Sequence, residues 1–338
     1  MELLKKLSDM IGPSGFEGKV RDFISKEMKK YVNEISTDKI GNLICHKKGK
    51  GPKVMLAAHM DEIGLIVNEI KDDGKIKFSR VGGVEPSAII GQKVVVIGKK
   101  KTIVGVVSFL ELHEGLHVQS SPSLYQLYVD TGLSKEDLEK TGIKIGSYIV
   151  PKQDFEFLGN EDFFCGKALD NRIGCYILIE LAKKLKNTNQ EIYYVFTVQE
   201  EIGLHGARVS VYETNPDWGI AVDTTSSEDS GNPRKSKLGG GPCITVKDAE
   251  IISNTCINNW LEDIAKKNKI PIQLKVDEFA TSDVARIILS KESVPSTAVN
   301  IPVRNIHSSI GIAHRKDIEN TISLLYNLLK NPPKKCIV

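Results

Sequence analysis

Five short segments of this 338-residue chain place imidazole or carboxylate side chains where folded chains do chemistry. His59-Met60-Asp61 closes the apolar run Lys53-Val54-Met55-Leu56-Ala57-Ala58, and Gln199-Glu200-Glu201 closes a second run over 191–198. Asp223 closes a third that begins at Trp218, and His307 follows the run Ser296 to Ile301 after a loop. The fifth, Asp170, opens a helical segment within Lys167-Ala168-Leu169-Asp170-Asn171-Arg172. Singly, each has a plainer reading: a helix cap for Asp170, the start of a loop for Asp223, a packed core histidine for His59. Together they point to one crevice, because open α/β sheets bind ligands at the carboxyl ends of their strands. Two imidazoles and several carboxylates with no thiolate suit Zn²⁺, Co²⁺ or Mn²⁺. The set exceeds what one tetrahedral ion needs. Two ions about 3.5–4 Å apart and sharing a carboxylate would use it all, activating a bridging water and polarising a carbonyl.

The elements that must position these groups follow from the apolar pattern. The first 64 residues read as two helices and then two strands, with Val20, Phe23, Ile24 and Met28 at helical spacing and 53–58 as a strand buried on both faces. From 65 to 160 short β-rich segments alternate with Gly, Asp and Lys turns, broken only by a helical stretch near 134–139, as in a small all-β domain. After 165, helices at 170–185, 204–213, 254–268, 280–290 and 315–330 alternate with strands at 191–198, 218–222 and 296–301. The expected fold class is therefore α/β: a mixed, mainly parallel sheet flanked by helices. Residues 1–64 and 161–338 would form the catalytic domain and 65–160 an inserted β domain.

Composition excludes several other classes. Hydrophobic residues make up 41% and charged residues 26%, which supports a real core rather than disorder or coiled coil. The 46 basic and 43 acidic residues leave a net charge of +3, too balanced for a nucleic-acid partner. The longest apolar run falls far short of the roughly 20 residues that span a bilayer, and the first residues lack a secretory leader pattern, so a cytoplasmic protein with no membrane partner is expected. The six cysteines have no CxxC or disulfide-like spacing and read as free thiols.

With these motifs in hand a family resemblance emerges. Ala58-His59-Met60-Asp61-Glu62-Ile63-Gly64, Lys167-Ala168-Leu169-Asp170-Asn171-Arg172-Ile173-Gly174, Val198-Gln199-Glu200-Glu201-Ile202-Gly203 and Asn305-Ile306-His307-Ser308 resemble the motifs of the dinuclear metal aminopeptidases that form tetrahedral (TET) particles, of the glutamyl/leucyl type. Order and spacing match over nearly the whole chain. The resemblance implies a zinc-peptidase fold and an aminopeptidase that trims short peptides with a hydroxide held by two divalent ions. It implies that His59 and Asp223 hold one ion, Glu201 and His307 the other, and that Asp170 bridges them. Glu200 would be the general base, and Asp61 would orient the His59 ring through its other nitrogen. It also implies a cis peptide at Asp170–Asn171, and dimers that assemble into a homododecamer through the β domain. Thr281-Ser282-Asp283-Val284-Ala285 and His307-Ser308-Ser309-Ile310 depart from the commoner family wording, which leaves the preferred first residue open.

Three rival readings compete. His113-Glu114-Gly115-Leu116-His117 spells a zincin motif, but it follows β-rich sequence, and extended residues four apart lie about 13 Å from each other, too far to chelate one ion. A glycoside hydrolase of endoglucanase type could use paired carboxylates, yet Glu200 and Glu201 are adjacent and the histidines would have no task. A non-catalytic metal-binding scaffold would have no need of the base. His46, His205 and His314 read as surface or packing residues, Cys165 and Cys175 as small core residues, and Arg172 as a structural ion-pair partner.

Overall fold

The computed structural model describes residues 1–109, 122–186, 188–227, 229, 236–291 and 293–332. Helices α1 (Glu2–Asp9) and α2 (Gly18–Met28) precede strands β1 (Glu34–Thr37), β2 (Leu43–Lys47) and β3 (Lys53–His59). Then come β4 (Gly64–Ile70), β5 (Ile76–Val81), α3 (Pro86–Ile89), β6 (Lys93–Ile97), β7 (Thr102–Ser108), β8 (Tyr128–Asp130), α4 (Lys135–Thr141) and β9 (Tyr148–Pro151). The chain continues through β10 (Glu156–Leu158), β11 (Phe163–Gly166), α5 (Leu169–Lys184), β12 (Glu191–Thr197), α6 (His205–Thr214) and β13 (Trp218–Ser226). It closes with β14 (Cys243–Lys247), α7 (Thr255–Asn268), β15 (Gln273–Val276), α8 (Val284–Ile288), β16 (Ser296–Val303), β17 (Gly311–His314) and α9 (Arg315–Lys330).

Among the described residues the main sheet has eight strands in the order β1-β2-β12-β3-β13-β16-β14-β15. Its centre is parallel: β12, β3, β13 and β16 run in one direction. The edges add antiparallel pairs at β1/β2, β2/β12 and β14/β16. The apolar run of β3 divides by the period of two that a strand imposes. Val54, Leu56 and Ala58 face a core shared with α1, α2, α5, α7 and α9, while Met55 and Ala57 face one shared with α6 and α8. Helices on both faces explain why the central strands lack alternation in sequence. Each fully buried Leu or Ile contributes about 1.5–3 kcal/mol. The early segment holds three strands rather than two, because β1 lies at the exposed edge and offers only Ile35 as an apolar signal.

Strands β4-β5-β8-β7-β6-β9 close into a barrel around Val67, Phe78, Val96, Val129 and Ile149. Closure leaves no free sheet edge among the described residues of this unit. A small sheet of β10, β11 and β17 ties the chain after the barrel to the segment before α9. Cys45, Cys165, Cys175 and Cys243 are buried free thiols. Cys256 departs from the free-thiol expectation, being disulfide-bonded, which no cysteine spacing in the sequence signalled. Among the described residues no helix is long and apolar enough to cross a membrane. His113, Glu114 and His117 lie outside the described residues.

Candidate metal centre

Four parallel strands deliver their carboxyl ends to one edge of the sheet, and the candidate ligands gather there. His59 is the last residue of β3, and Glu200 and Glu201 follow β12 by three and four residues. Asp223 is not at a strand end as expected. Thr224, Thr225 and Ser226 prolong β13 in register with β16, since β-branched threonines suit a strand although they break the apolar run. Ala221 pairs with Ala57, so Asp223 lies level with His59 on the neighbouring strand and on the same face. His307 lies midway along the loop between β16 and β17, at φ 59°.

Asp170 sits at the head of α5, where it and Asn171 leave helical geometry and are joined by the cis peptide that the resemblance implied. The Asn171 amide donates to Val222 O at 2.8 Å and accepts from Gly174 N at 2.9 Å, which docks the helix start beside Asp223. The Asp170 carboxylate is shared between two imidazoles. Oδ1 lies 3.2 Å from His59 Nε2 and Oδ2 lies 3.5 Å from His307 Nε2. Around these, Asp223 Oδ1 is 3.5 Å and Glu200 Oε2 3.9 Å from His59 Nε2, and Glu201 Oε2 is 3.6 Å from His307 Nε2. Two groupings have ligand atoms close enough to hold an ion: His59 with Glu200 and Asp223, and His59 with Asp170 and Glu201.

Asp61 organises this cluster from behind. It is fully buried, and its Oδ1 lies 3.5 Å from His59 Nδ1. The same carboxylate accepts from Ser14 Oγ at 2.6 Å and from the backbone N–H groups of Glu200 and Glu201, each at 3.1 Å. One side chain thus orients a ring and both glutamates. Arg172, also fully buried, donates to the carbonyls of Met60 at 2.8 Å and Leu7 at 2.5 Å, with Glu62 3.7 Å away. It is a structural residue, as its sequence context suggested. Ser14, Glu62 and Lys167 were not singled out by sequence reasoning, although each lies inside a motif quoted above or in the loop after α1. Glu62 pairs with Lys167 at 2.7 Å in the interior. Asp283, in the segment that departs from family wording, is buried and accepts from Thr197 Oγ1 at 2.5 Å.

The electrostatics show what the site lacks. Burial pushes Glu201 up to about 8, with the Asp170 charge adding to it. Burial also drives Glu200 well above the usual range; His59 opposes this, and Asp223, Asp283 and Glu201 reinforce it. Asp170 is held well below the usual range, because His307 and His59 outweigh the effect of burial. His307 is pushed up to about 9, chiefly by Asp170. Carboxylates crowded out of water cannot all ionise unless cations compensate them. Divalent ions are the compensation this set of nitrogen and oxygen donors fits, and the residues present match a two-ion centre.

Other sequence expectations fall away from the site. His46 stacks on Tyr193 at 4.3 Å, His205 faces Gln199, and His314 caps α9 by accepting from Lys316 N at 3.1 Å. Cys175 touches the His59 carbonyl, and burial pushes its thiol up to about 12, so it stays protonated and inert. A cleft of about 450 Å³ opens over the centre, lined by His59, Asp170, Glu200, Glu201, Asp223 and His307 on one side and by β13 and the 279–286 segment on the other.

Comparison with known proteins agrees with this geometry. Residues 41–324 match the M42 glutamyl aminopeptidase family. The lysyl aminopeptidase of Pyrococcus furiosus is 37% identical over 337 residues, spanning 97% of this chain and 96% of that protein. An aminopeptidase, APDkam598, from the archaeon Desulfurococcus kamchatkensis superposes with a TM-score of 0.93 at 35% identity, covering 97% and 94% of the two chains. The TET1 peptidase of Pyrococcus horikoshii, which can assemble into a tetrahedron or a large octahedral shell, gives 0.88 at 30% identity over 98% and 99%.

Proposed function

Because the chain belongs to the M42 glutamyl aminopeptidase family, we propose that it removes the first residue of short peptides with Glu200 as general base and Asp170 as the carboxylate shared by two ions. It is a metal-dependent aminopeptidase with a dinuclear site. The observation that carries the detailed reading is the split Asp170 carboxylate, with one oxygen toward the buried His59 imidazole and the other toward the exposed His307 imidazole. On this reading His59 and Asp223 complete one ion's ligands and Glu201 and His307 the other's. Zinc or cobalt, and with them manganese, are the ions this donor set suits.

When bound, two such ions supply Lewis-acid polarisation of the first peptide carbonyl and lower the pKa of a coordinated water. The protein's own part is to place and move a proton. Glu200, ionised once cations offset the burial that otherwise favours its protonated form, would take a proton from water and deliver it to the departing amine. Asp61 keeps His59 and the Glu200 backbone in place while this happens. The test is a panel of aminoacyl-p-nitroanilides and carboxymethylcellulose, with and without chelator. Chelator-sensitive release of p-nitroaniline with no cellulose cleavage is expected; cellulose cleavage alone would replace a peptidase by a glycosidase.

The reading extends to architecture. Residues 1–64 and 161–338 form the catalytic domain, and the inserted domain, 65–160, builds a homododecamer from dimers in a cytoplasmic setting. The likeness to a peptidase that assembles into a tetrahedron supports this, as do Val104 and Val106, which the barrel strand β7 leaves 46% and 38% exposed. Light scattering should give the mass of a dodecamer. Charged substitutions at both valines should reduce it to smaller species, and a wild-type monomer at cellular salt would remove the assembly from the proposal.

A further inference from the structure

Away from the metal centre, the cleft wall carries two further charged side chains among the described residues, Glu250 and Arg286. Glu250 lies in the turn after β14, fixed by its backbone N–H to Asp248 Oδ1 at 2.8 Å. Arg286 projects from α8. Its Nη1 lies 2.7 Å from Glu250 Oε2 and its Nη2 3.4 Å from Oε1, fork against fork. The neighbouring wall is uncharged: Leu204, Thr224, Phe279 and Thr281. The hydroxyls of Thr224 and Thr281 are buried and have no hydrogen-bond partner among the described residues.

We propose that the Glu250–Arg286 pair acts as a charge filter, so that the enzyme selects substrates whose first residue has an uncharged side chain. This rests on the aminopeptidase reading above. A peptide held with its first carbonyl at the metal centre must lay its first side chain along the cleft. A lysine there meets a carboxylate already committed to Arg286, together with a like charge on the guanidinium. A glutamate meets the mirror situation. Either must break a bidentate pair to gain one contact, and like charges held at close range are what specificity by exclusion uses. An uncharged chain leaves the pair intact and packs against Leu204 and Phe279.

The filter makes an antisymmetric prediction. Metal-reconstituted wild type should cleave Leu-, Met- and Gln-p-nitroanilide at least about tenfold better in kcat/KM than the Lys and Glu substrates. In Glu250→Gln the freed guanidinium should raise the Glu:Lys ratio about tenfold, and in Arg286→Gln the freed carboxylate should lower it about tenfold. Exchanging the two charges, Glu250→Arg with Arg286→Glu, restores the pair and should return the ratio toward wild type, which separates charge from loss of folding. A wild type that prefers Lys or Glu overturns the proposal. So does a ratio that moves less than twofold in both single variants, or selection that appears at Xaa of Leu-Xaa dipeptides instead. Turnover of no substrate in the panel overturns the aminopeptidase reading itself.

Discussion

Replacing Glu200 by Gln should reduce kcat by about 10²–10⁴-fold while leaving both metals bound, because it removes the proton acceptor and little else. Gln keeps the length and the polarity of the side chain. The backbone N–H of residue 200 still reaches Asp61 Oδ1, so the loop geometry is unaffected. KM should change little. Glu201→Gln should fail in another way: it lowers metal content, and excess metal partly rescues turnover. The adjacent backbone N–H groups share one carboxylate, so neither substitution should disturb the other's position. Metal content and kcat on the two variants decide the assignment. A metal-depleted, rescuable Glu200→Gln would exchange their roles, and the grouping of Glu200 with His59 and Asp223 gives that outcome a physical basis.

The candidate ligands were legible in the sequence because buried parallel strands are long apolar runs, and a charged residue that stops such a run is conspicuous. His59, Glu200 and Glu201 were found that way. Asp223 was found for an incomplete reason: three strand residues after it are polar, so the run ended in sequence before the strand ended in space. The supports were harder to see. Asp61 lies two residues past His59 and could be suspected of orienting it, but its hold on both glutamate N–H groups depends on β12 lying beside β3, a contact 139 residues apart in sequence. Asp283 gave no signal of its own, since its burial depends on how α8 packs against β13 and β16 and brings it to Thr197 at the end of β12. Pair contacts such as Glu250 with Arg286 were invisible for the same reason. Periodicity reports which face a residue takes; it does not report which distant residue shares that face.

Asp170→Asn should cost the protein both metals, and Asp223→Asn chiefly one. An amide has nearly the size of the carboxylate but carries no negative charge, and Asp170 is the group whose two oxygens face both imidazoles. Outer partners of metal ligands are worth about 10–100-fold in affinity, so a shared ligand should exceed that for each ion. Activity should fall by about 10³-fold or more, as expected if each ion stabilises the transition state by several kcal/mol. Of the two imidazoles Asp223 is paired with His59, so its loss leaves Asp170, Glu201 and His307 able to hold the second ion. Metal analysis after dialysis therefore separates the two variants: near zero for Asp170→Asn, near one per chain for Asp223→Asn. Thermal unfolding gives a readout that does not depend on turnover. Metal stabilises the folded state in proportion to the logarithm of its concentration over Kd, so adding metal should raise the Tm of wild type most, Asp223→Asn less and Asp170→Asn least. If Asp170→Asn kept two ions and a wild-type Tm rise, the carboxylate would not be the bridge. The ions would then be held separately, one by His59 and Asp223 and the other by Glu201 and His307, with no shared carboxylate.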